Sequence, residues 1–368
     1  MRKCAVIILS VLLLLLLASC VSRVPGAEGG APVDGQDTPP YDYIAAEQTA
    51  NPESGAPAEE QIIVPHGYIA MEYILFINDN LYGRTPFSYR ELEAARWIAD
   101  ELLAMGHTNI EVQEFSWEET SEWAWDPWEF VADSGGRDFF REFPVREGRL
   151  SQNVILTVPG QSEQVIVVGA HYDGFQYPGA ADNASGVALL LESARRMLHQ
   201  DNYYTIVYVF FGAEETGLMG AHFYLNSLTG EQRDRIAFMV NADALFEGPY
   251  LLYAAGHGRE NEPPQVSAIS RRVDDIADEL RRQYDLELIA FPEGIFWNSD
   301  NLPFLQEGYT VIVLAGLTEA RENMFQPGLL HSERDCLHYI NEAWPGMAQR
   351  AMRTYSIFLE RILLAGYE

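Results

Sequence analysis

The chain has 368 residues, of which 48% are hydrophobic, so it is long enough for one large α/β domain with a sizeable core. Its formal net charge of −30, without any basic stripe, argues against a nucleic-acid partner. The same charge predicts repulsion from anionic lipid, so attachment to a membrane would have to be covalent.

The N-terminus resembles the export signal of a bacterial lipoprotein. Basic residues 2 and 3 precede an apolar run, residues 5–17, that is too short for a membrane-spanning helix. The sequence LASC at positions 17–20 resembles a lipobox, which predicts a signal peptide over 1–19 and a lipid on Cys20. An ordinary cleavage site beside an unrelated Cys is the alternative. We therefore expect an extracytoplasmic protein that is held to a bacterial cell membrane by its lipid anchor alone.

The sequence changes character after this signal. Residues 20–61 are rich in Gly, Pro, Ala and acidic residues, which predicts a disordered tether ahead of a domain over 62–368. Removal of the signal takes away Cys4 and acylation uses Cys20, so Cys336 has no partner. No disulfide framework is expected, despite export.

Strands and helices alternate along the domain. Ser88-Tyr89-Arg90-Glu91 is a capping-box pattern, and apolar residues then recur at helical spacing up to Gly106. The alternation, without a repeat or a second linker, predicts one α/β domain with a mixed, mostly parallel sheet flanked by helices. The predicted strands are 110–115, 153–158, 165–168, 204–211, 236–240 and 309–314, and the further predicted helices are 184–198, 219–225, 266–284 and 347–364.

The segment 117–143 has an unusual composition. Four tryptophans, Trp117, Trp123, Trp125 and Trp128, are interleaved with acidic residues. One interpretation is a lid or a rim subsite that contacts substrate. The interpretation that we favour is a hairpin whose aromatic rings pack on the edge of the domain.

Ionisable side chains end or follow four of the predicted strands, at the carboxyl edge where α/β sheets place their sites. A buried carboxylate is unfavourable without a compensating cation, and converging carboxylates repel one another. Divalent metal ions would remove both penalties, and mixed imidazole and carboxylate ligands suit zinc, with manganese or cobalt as alternatives. A bridging carboxylate could hold two ions roughly 3.5–4 Å apart. The residues are His171, Asp173, Asp182, Glu214, Glu215, Asp243 and His331.

These residues lie in segments that resemble the M28 family of co-catalytic zinc peptidases, which includes many aminopeptidases. Each segment follows a predicted strand or lies in its loop, and the likeness extends from about Ser88 to the C-terminus. The resemblance implies the zinc-peptidase, phosphorylase/hydrolase-like fold. The matching segments are HYDG at 171–174, ADNASGV at 181–187, FGAEETG at 211–217, NAD at 241–243 and LHS at 330–332.

The resemblance also implies a role for each residue. Two zinc ions would share one carboxylate, and each ion would be held further by one imidazole and one carboxylate. A carboxylate two residues beyond the first imidazole would hydrogen-bond it and fix its tautomer, and a glutamate would act as general base. The implied ligands are His171 and Asp243 for one ion, Glu215 and His331 for the other and Asp182 for both; Asp173 is the implied partner of the imidazole and Glu214 the implied base.

Two local features accompany this resemblance. The family often has a cis peptide bond after the bridging Asp, which here would be Asp182–Asn183. Members also often carry Ser-Asp-His ahead of Pro-Phe, whereas residues 299–304 of this chain place Asn301 where that His would be. The departure lies where a substrate pocket is expected.

We expect an enzyme that hydrolyses peptide bonds with two zinc ions per chain and releases N-terminal residues from peptides. One alternative is a glutaminyl cyclase-like enzyme with a single zinc ion, although the loop at 182–186 looks more like the peptidase loop. The other alternative is a non-catalytic binding lipoprotein on the same fold. The sequence does not indicate an oligomeric state.

Overall fold

The computed structural model describes residues 64–124, 146–258, 266–291, 299–317 and 329–367, which all belong to one compact unit, residues 63–368. The predicted signal peptide, Cys20, the tether and residues 125–143 of the Trp-rich segment lie outside these ranges. None of the helices in the described ranges has the length and apolar character needed to span a bilayer.

One mixed sheet of eight strands organises the described part of the chain. The strand order is β1-β2-β4-β3-β5-β8-β6-β7, and the central strands β4, β3, β5 and β8 are mutually parallel. Antiparallel pairing occurs toward both edges, between β2 and β4 and between β6 and β8. The predicted fold class is confirmed, although β6 and β7 were not predicted. The strands are β1 (Ile110–Ser116), β2 (Leu150–Val158), β3 (Ser162–His171), β4 (Tyr204–Phe211), β5 (Ile236–Ala242), β6 (Tyr250–Gly256), β7 (Leu288–Ala290) and β8 (Val311–Leu317).

Helices cover both faces of this sheet. The larger core cluster lies between one face and helices α1, α2, α4, α7 and α10, and a smaller cluster lies between the other face and α5 and α8. The helices are α1 (Tyr68–Asn80), α2 (Tyr89–Ala104), α3 (Trp117–Thr120), α4 (Ser185–Met197), α5 (Met219–Ser227), α6 (Gly230–Asp234), α7 (Ala268–Tyr284), α8 (Asn301–Gln306), α9 (Leu337–Ala343) and α10 (Met347–Leu364).

This double cover explains why the buried parts of the central strands are apolar on both faces. In β3, Ile166, Val168 and Ala170 belong to the larger core, whereas Val167 belongs to the smaller one. Successive side chains of a strand point to opposite faces, so a strand that is covered on both sides needs apolar residues throughout. The central strands are therefore rigid supports for whatever follows their carboxyl ends.

The start of α2 differs from the predicted capping box. Ser88 caps the helix, since its Oγ accepts from the N–H of Glu91 at 3.1 Å. The reciprocal bond is not made, because the N–H of Ser88 donates to the carbonyl of Thr85 and the Glu91 carboxylate accepts from Phe87. Glu91 is fully buried, so its side chain has a role beyond the helix end.

The described beginning of the Trp-rich segment is helical. Trp117 opens α3 rather than a hairpin strand, and its ring packs edge-on against Phe87 at 5.7 Å. Trp123 stacks on His222 with centroids 5.0 Å apart. These rings pack on the domain, as the favoured interpretation expected, and the lid or rim interpretation of residues 125–143 stays a hypothesis.

Candidate metal centre

Side chains from the carboxyl ends of neighbouring strands converge at one edge of the sheet. His171 is the last residue of β3, Glu214 and Glu215 follow β4, and Asp243 directly follows β5. Because β4, β3 and β5 are adjacent and parallel, these ends lie side by side. Asp182 lies in an irregular turn, Ala180–Ala184, that leads into α4, and His331 follows β8.

Asp182 lies between two histidines and turns a different oxygen to each. Its Oδ1 is 3.1 Å from Nε2 of His171, and its Oδ2 is 3.0 Å from Nε2 of His331. His171 Nε2 is also 3.2 Å from Oδ1 of Asp243, and His331 Nε2 is 3.2 Å from Oε2 of Glu215. These side chains therefore form two half-sites, one of His171 with Asp243 and one of His331 with Glu215, which share the carboxylate of Asp182.

These residues fit zinc. Ligand atoms about 2.0–2.1 Å from a tetrahedral zinc ion are about 3.3 Å apart, and the nitrogen–oxygen distances within each half-site are close to that value. In the described part of the chain, His171, Asp182 and Asp243 form one group whose ligand atoms lie within 4.8 Å of one another, and Asp182, Glu215 and His331 form another. A third such group joins His171 with Glu214 and Glu215.

The electrostatics of the cluster also favour bound cations. Burial raises the pKa of Glu215 to about 7, with the charge of Asp182 adding to the rise and His331 opposing it. Burial likewise raises the pKa of Glu214 well above its usual range, while His171 opposes the rise. Burial would raise the pKa of Asp182 too, but hydrogen bonds from His171 and His331 outweigh it and hold that pKa well below its usual range. Adjacent carboxyl groups with pKa values pushed apart are typical of a functional site.

Asp173 contacts the backbone of the next strand end rather than the imidazole. Its Oδ1 is 3.6 Å from Nδ1 of His171, which is longer than a hydrogen bond. Its two carboxylate oxygens instead accept from the N–H groups of Glu214 and Glu215, at 3.0 and 3.2 Å. Asp173 thus stabilises the turn that carries both glutamates, and its predicted effect on the His171 tautomer stays a prediction.

The turn around Asp182 is packed closely against β5. The Asp182–Asn183 peptide bond is cis, as predicted. The Asn183 side chain donates to the carbonyl of Ala242 at 3.0 Å and accepts from the N–H of Gly186 at 2.9 Å. A Cβ on Gly186 would lie 2.3 Å from the carbonyl oxygen of Ala242, so only glycine allows α4 to begin here.

Asp335 is a residue that sequence reasoning missed. It is buried, and its two oxygens accept from the N–H groups of Ala181 and Asp182 at 2.6 and 3.0 Å. Asp335 therefore connects the segment that carries His331 to the turn that carries Asp182. Its position four residues after His331 is the available sequence signal, and a local pattern of that kind has a helix cap as an equally good explanation.

Arg84 was also missed. Its guanidinium is buried and donates to the carbonyls of Tyr172 at 2.8 Å and Pro178 at 2.9 Å, which lie within the segment between His171 and Asp182. It also places a fixed positive charge close to the acidic cluster, and burial lowers its pKa to about 10. No local pattern distinguishes this arginine from the others in the sequence.

Two further acidic residues lie near the cluster. Glu247, four residues past Asp243, is 7% exposed, and within the described ranges its Oε2 has no hydrogen-bond partner. Burial raises its pKa to about 7, and the charges of Asp182 and Asp243 add to this rise. Asp300 and Asn301, at the departure from the family pattern, are fully buried, and their side-chain polar atoms have no hydrogen-bond partner among the residues described.

A small cleft opens beside the shared carboxylate. Asp182 and His331 line it, and the ring of Phe175 stacks on His331 with centroids 4.0 Å apart. His331 is the most exposed of the five candidate ligands, with 39% of its side chain accessible. A small molecule or a peptide end can therefore approach the cluster from this side.

Comparisons with known proteins identify relatives of this arrangement. Residues 153–356 match the sequence profile of Peptidase family M28, which is more than half of the chain. Leucine aminopeptidase 1 of Pyrenophora teres f. teres is 33% identical over 250 residues, which cover 62% of this chain and 60% of that protein. The chain spans 60% or less of the length of the first curated relatives that it matches.

Two solved structures show the same fold at low sequence identity. One is BSAP, a zinc aminopeptidase from Bacillus subtilis, with a TM-score of 0.61, 16% identity and coverage of 80% of this chain and 94% of that one. The other is a glutaminyl cyclase from Bacteroides thetaiotaomicron bound to N-acetylhistamine, with a TM-score of 0.57, 17% identity and coverage of 82% and 99%. At these identities the likeness establishes the fold alone.

Proposed function

The chain belongs to peptidase family M28, and on this premise we propose that it is a zinc-dependent peptidase that releases N-terminal residues from peptides. One observation carries the proposal: Asp182 turns its two oxygens to two separate imidazoles, each of which is paired with a further carboxylate. A carboxylate in this position can be shared by two ions. The relative named leucine aminopeptidase 1 supports the choice of an aminopeptidase within the family.

The proposed roles follow from the geometry. His171 and Asp243 would hold one zinc ion, Glu215 and His331 the other, and Asp182 both. When bound, the zinc ions would supply Lewis-acid polarisation of the scissile carbonyl and a lowered pKa for the attacking water.

Glu214 would hold the proton that moves during hydrolysis. It follows directly on the left-handed Ala213, is buried, and has an oxygen within 4.8 Å of ligand atoms of His171 and Glu215. Burial raises its pKa above the usual range of a glutamate, which strengthens its hold on a proton that it would accept from water and return to the leaving amine. The proton is therefore conserved over the cycle, and Glu214 returns to its starting state.

Recognition of a free N-terminus is consistent with the local charge. Two acidic residues, Asp182 and Asp335, line the cleft. Elsewhere near the cluster, the Oε2 of Glu247 lacks a hydrogen-bond partner within the described ranges. An α-ammonium group is the cationic end that a peptide offers to such a surface. We therefore propose free-amine peptides as the substrate class, with no prediction for the preferred side chain.

The decisive experiment compares aminoacyl peptides with the same peptides carrying an N-acetyl group, with and without chelator and with zinc restored. We expect release from the free-amine series alone, loss with chelator and recovery with zinc. Hydrolysis of the blocked series alone would retain a peptidase and remove the aminopeptidase assignment. Zinc binding without turnover of either series would indicate a non-catalytic binding protein.

A glutaminyl cyclase is the second candidate, because a solved enzyme of that kind shares the fold. The two candidates differ in zinc stoichiometry, since we propose two ions per chain here and the alternative needs one. They also differ in product, which would be pyroglutamyl peptide from an N-terminal Gln substrate. Mass spectrometry of that reaction, together with zinc content per chain, separates them.

We also propose that the protein is exported and acylated on Cys20, with residues 20–61 as a tether to the domain over 62–368. The lipobox-like sequence LASC at 17–20 supports this proposal. In cells fed a labelled fatty acid, the wild-type chain should carry label and a Cys20→Ser variant should not. Label that survives the substitution would assign the lipid elsewhere.

A further inference from the structure

Glu214 and Glu215 lie in one tight turn, residues 212–217, which we call the glutamate turn, and its backbone is unusual. Ala213, the residue before them, has φ 53°, a left-handed conformation that non-glycine residues rarely adopt. The N–H groups of Ala213, Glu214 and Glu215 all bind buried carboxylates. Consecutive N–H groups in such a turn form a concave anion site, which here is filled by side chains of the protein itself.

Asp173 supplies one of these carboxylates and Glu91 supplies the other. Glu91 Oε1 accepts from the N–H of Ala213 at 3.0 Å and from Oγ of Ser151 at 2.7 Å. Its Oε2 accepts from the N–H of Phe87 at 2.6 Å. Glu91 therefore connects the start of α2, strand β2 and the glutamate turn, and it reaches that turn from a residue 122 positions earlier in the chain.

The turn also has little room to adjust. A Cβ on Gly212 would lie 2.4 Å from Oγ of Ser151 and 2.6 Å from the carbonyl oxygen of Gln152, so the backbone before Ala213 lies directly against β2. After the glutamates, the N–H of Gly217 returns to the carbonyl of Glu214 at 2.9 Å. Between these two fixed points, the N–H of Ala213 is held by Glu91 and those of Glu214 and Glu215 by Asp173.

We propose that Glu91 is a positioning residue for the glutamate turn: through the N–H of Ala213 it sets the directions in which Glu214 and Glu215 point. The inference rests on the proposed function for its catalytic consequence, because Glu214 is the proposed base and Glu215 a proposed zinc ligand. Glu91 touches neither the zinc ligands nor the substrate cleft in the contacts described. It acts on geometry, and a displacement of about 1 Å at reacting groups can reduce a rate about 100-fold.

Two variants separate the reach of this side chain from its acid group. Glu91→Asp keeps a carboxyl group but withdraws it by one methylene, about 1.5 Å, which breaks the bond to Ala213. Glu91→Gln keeps an oxygen that can accept from Ala213 and Ser151, and its NH2 group then faces the N–H of Phe87, just before α2 and outside the glutamate turn. We expect Glu91→Asp to lower kcat about 10- to 100-fold with KM within about two-fold of wild type, and Glu91→Gln to retain at least a third of wild-type kcat.

Ser88→Ala is the matched control, because it removes the cap of the same helix without touching the turn. All variants are compared at equal zinc content, and zinc affinity is measured by chelator competition without substrate. In Glu91→Asp we expect one of two zinc ions to bind about 10- to 100-fold more weakly. We also expect faster amide hydrogen exchange across residues 212–216 in this variant and no such change in Ser88→Ala.

The proposal is overturned if Glu91→Asp matches Ser88→Ala in kcat, zinc affinity and exchange, since Glu91 would then only stabilise the fold. It is also overturned if Glu91→Gln loses more activity than Glu91→Asp while its amide exchange across residues 212–216 is unchanged, because the acid group rather than its reach to Ala213 would then matter. Should Glu91→Asp fail to fold, a Glu91→Gln variant with less than a third of wild-type kcat decides against it. If the wild-type protein has no chelator-sensitive peptidase activity, the proposed function fails, while zinc affinity and exchange still decide the role of Glu91.

Discussion

Replacing Glu214 and Glu215 one at a time tests whether Glu214 acts as the general base and Glu215 as a zinc ligand. Glu214→Gln is close in shape but cannot accept a proton, so we expect both zinc ions to remain and kcat to fall about 10²–10⁴-fold, or about 3–5 kcal/mol in the barrier. Glu215→Gln removes the carboxylate whose Oε2 lies 3.2 Å from His331 Nε2. That variant should lose one zinc ion on dialysis and keep the ion assigned to His171 and Asp243.

The assay pairs zinc content per chain after dialysis with kcat on an aminoacyl p-nitroanilide. A Gln232→Glu variant, on the exposed helix α6, controls for a change of one charge elsewhere on the domain. If Glu214→Gln loses zinc and Glu215→Gln keeps both ions, the two roles have been exchanged. If neither substitution changes turnover by more than about three-fold, the assignment of this turn to the chemistry is wrong.

Three further outcomes follow from the packing and charge of the site. Gly186→Ala should lower the free energy of unfolding by about 1–3 kcal/mol in urea titrations, because the added Cβ would clash with the carbonyl oxygen of Ala242. Gly230→Ala is the control and should not lower it, because a Cβ there would meet no atom within 4 Å. Asp335→Asn should weaken zinc binding about 10- to 100-fold in chelator competition, because one of the two hydrogen bonds that Asp335 accepts from the N–H groups of Ala181 and Asp182 is lost. An unchanged zinc affinity would contradict this expectation. Without metal, Asp335 should contribute stability that is lost as the pH rises from about 4 to about 7. Burial raises its folded-state pKa from 3.8 to about 7, worth about 4 kcal/mol, so the folded state binds more protons than the unfolded one. A melting temperature with chelator that is higher at pH 8 than at pH 5 would contradict that sign.

The strands and their terminal residues could be predicted because the signal is local. Strand β3 is apolar at successive positions since both of its faces are covered, and His171 stands at its end in the sequence as in the structure. The same reasoning placed Asp243 after β5. Parallel neighbours then bring such ends together without further information. By contrast, His331 lies in a loop well after its strand, and its approach to Asp182 depends on the path of the chain after β8, which the local sequence does not indicate.

The supporting residues could not be predicted because their partners are distant in the chain. Glu91 looks like half of a capping box, and only the fold shows that its carboxylate bonds Ala213 instead. Asp335 binds the turn of Asp182, which lies 153 positions earlier in the chain. Arg84 donates to backbone carbonyls, and such a contact does not depend on which side chain the accepting residue carries. Every residue has a backbone carbonyl, and every residue except proline has an N–H. A side chain that binds these groups therefore has no particular residue type as its partner, and the sequence does not mark the contact.

Fold likeness cannot choose between one and two metal ions, since a solved zinc aminopeptidase and a solved glutaminyl cyclase both share this architecture. The choice depends on local geometry at Asp182. A single ion needs that carboxylate to face one imidazole, and the second imidazole would then be free to turn to solvent. Here the second imidazole, His331, is directed at the remaining oxygen of Asp182 and at Glu215, even though its own side chain is partly exposed. Two acids that face a half-exposed histidine support the proposal of a second zinc ion, because a cation there would offset the repulsion between the two carboxylates.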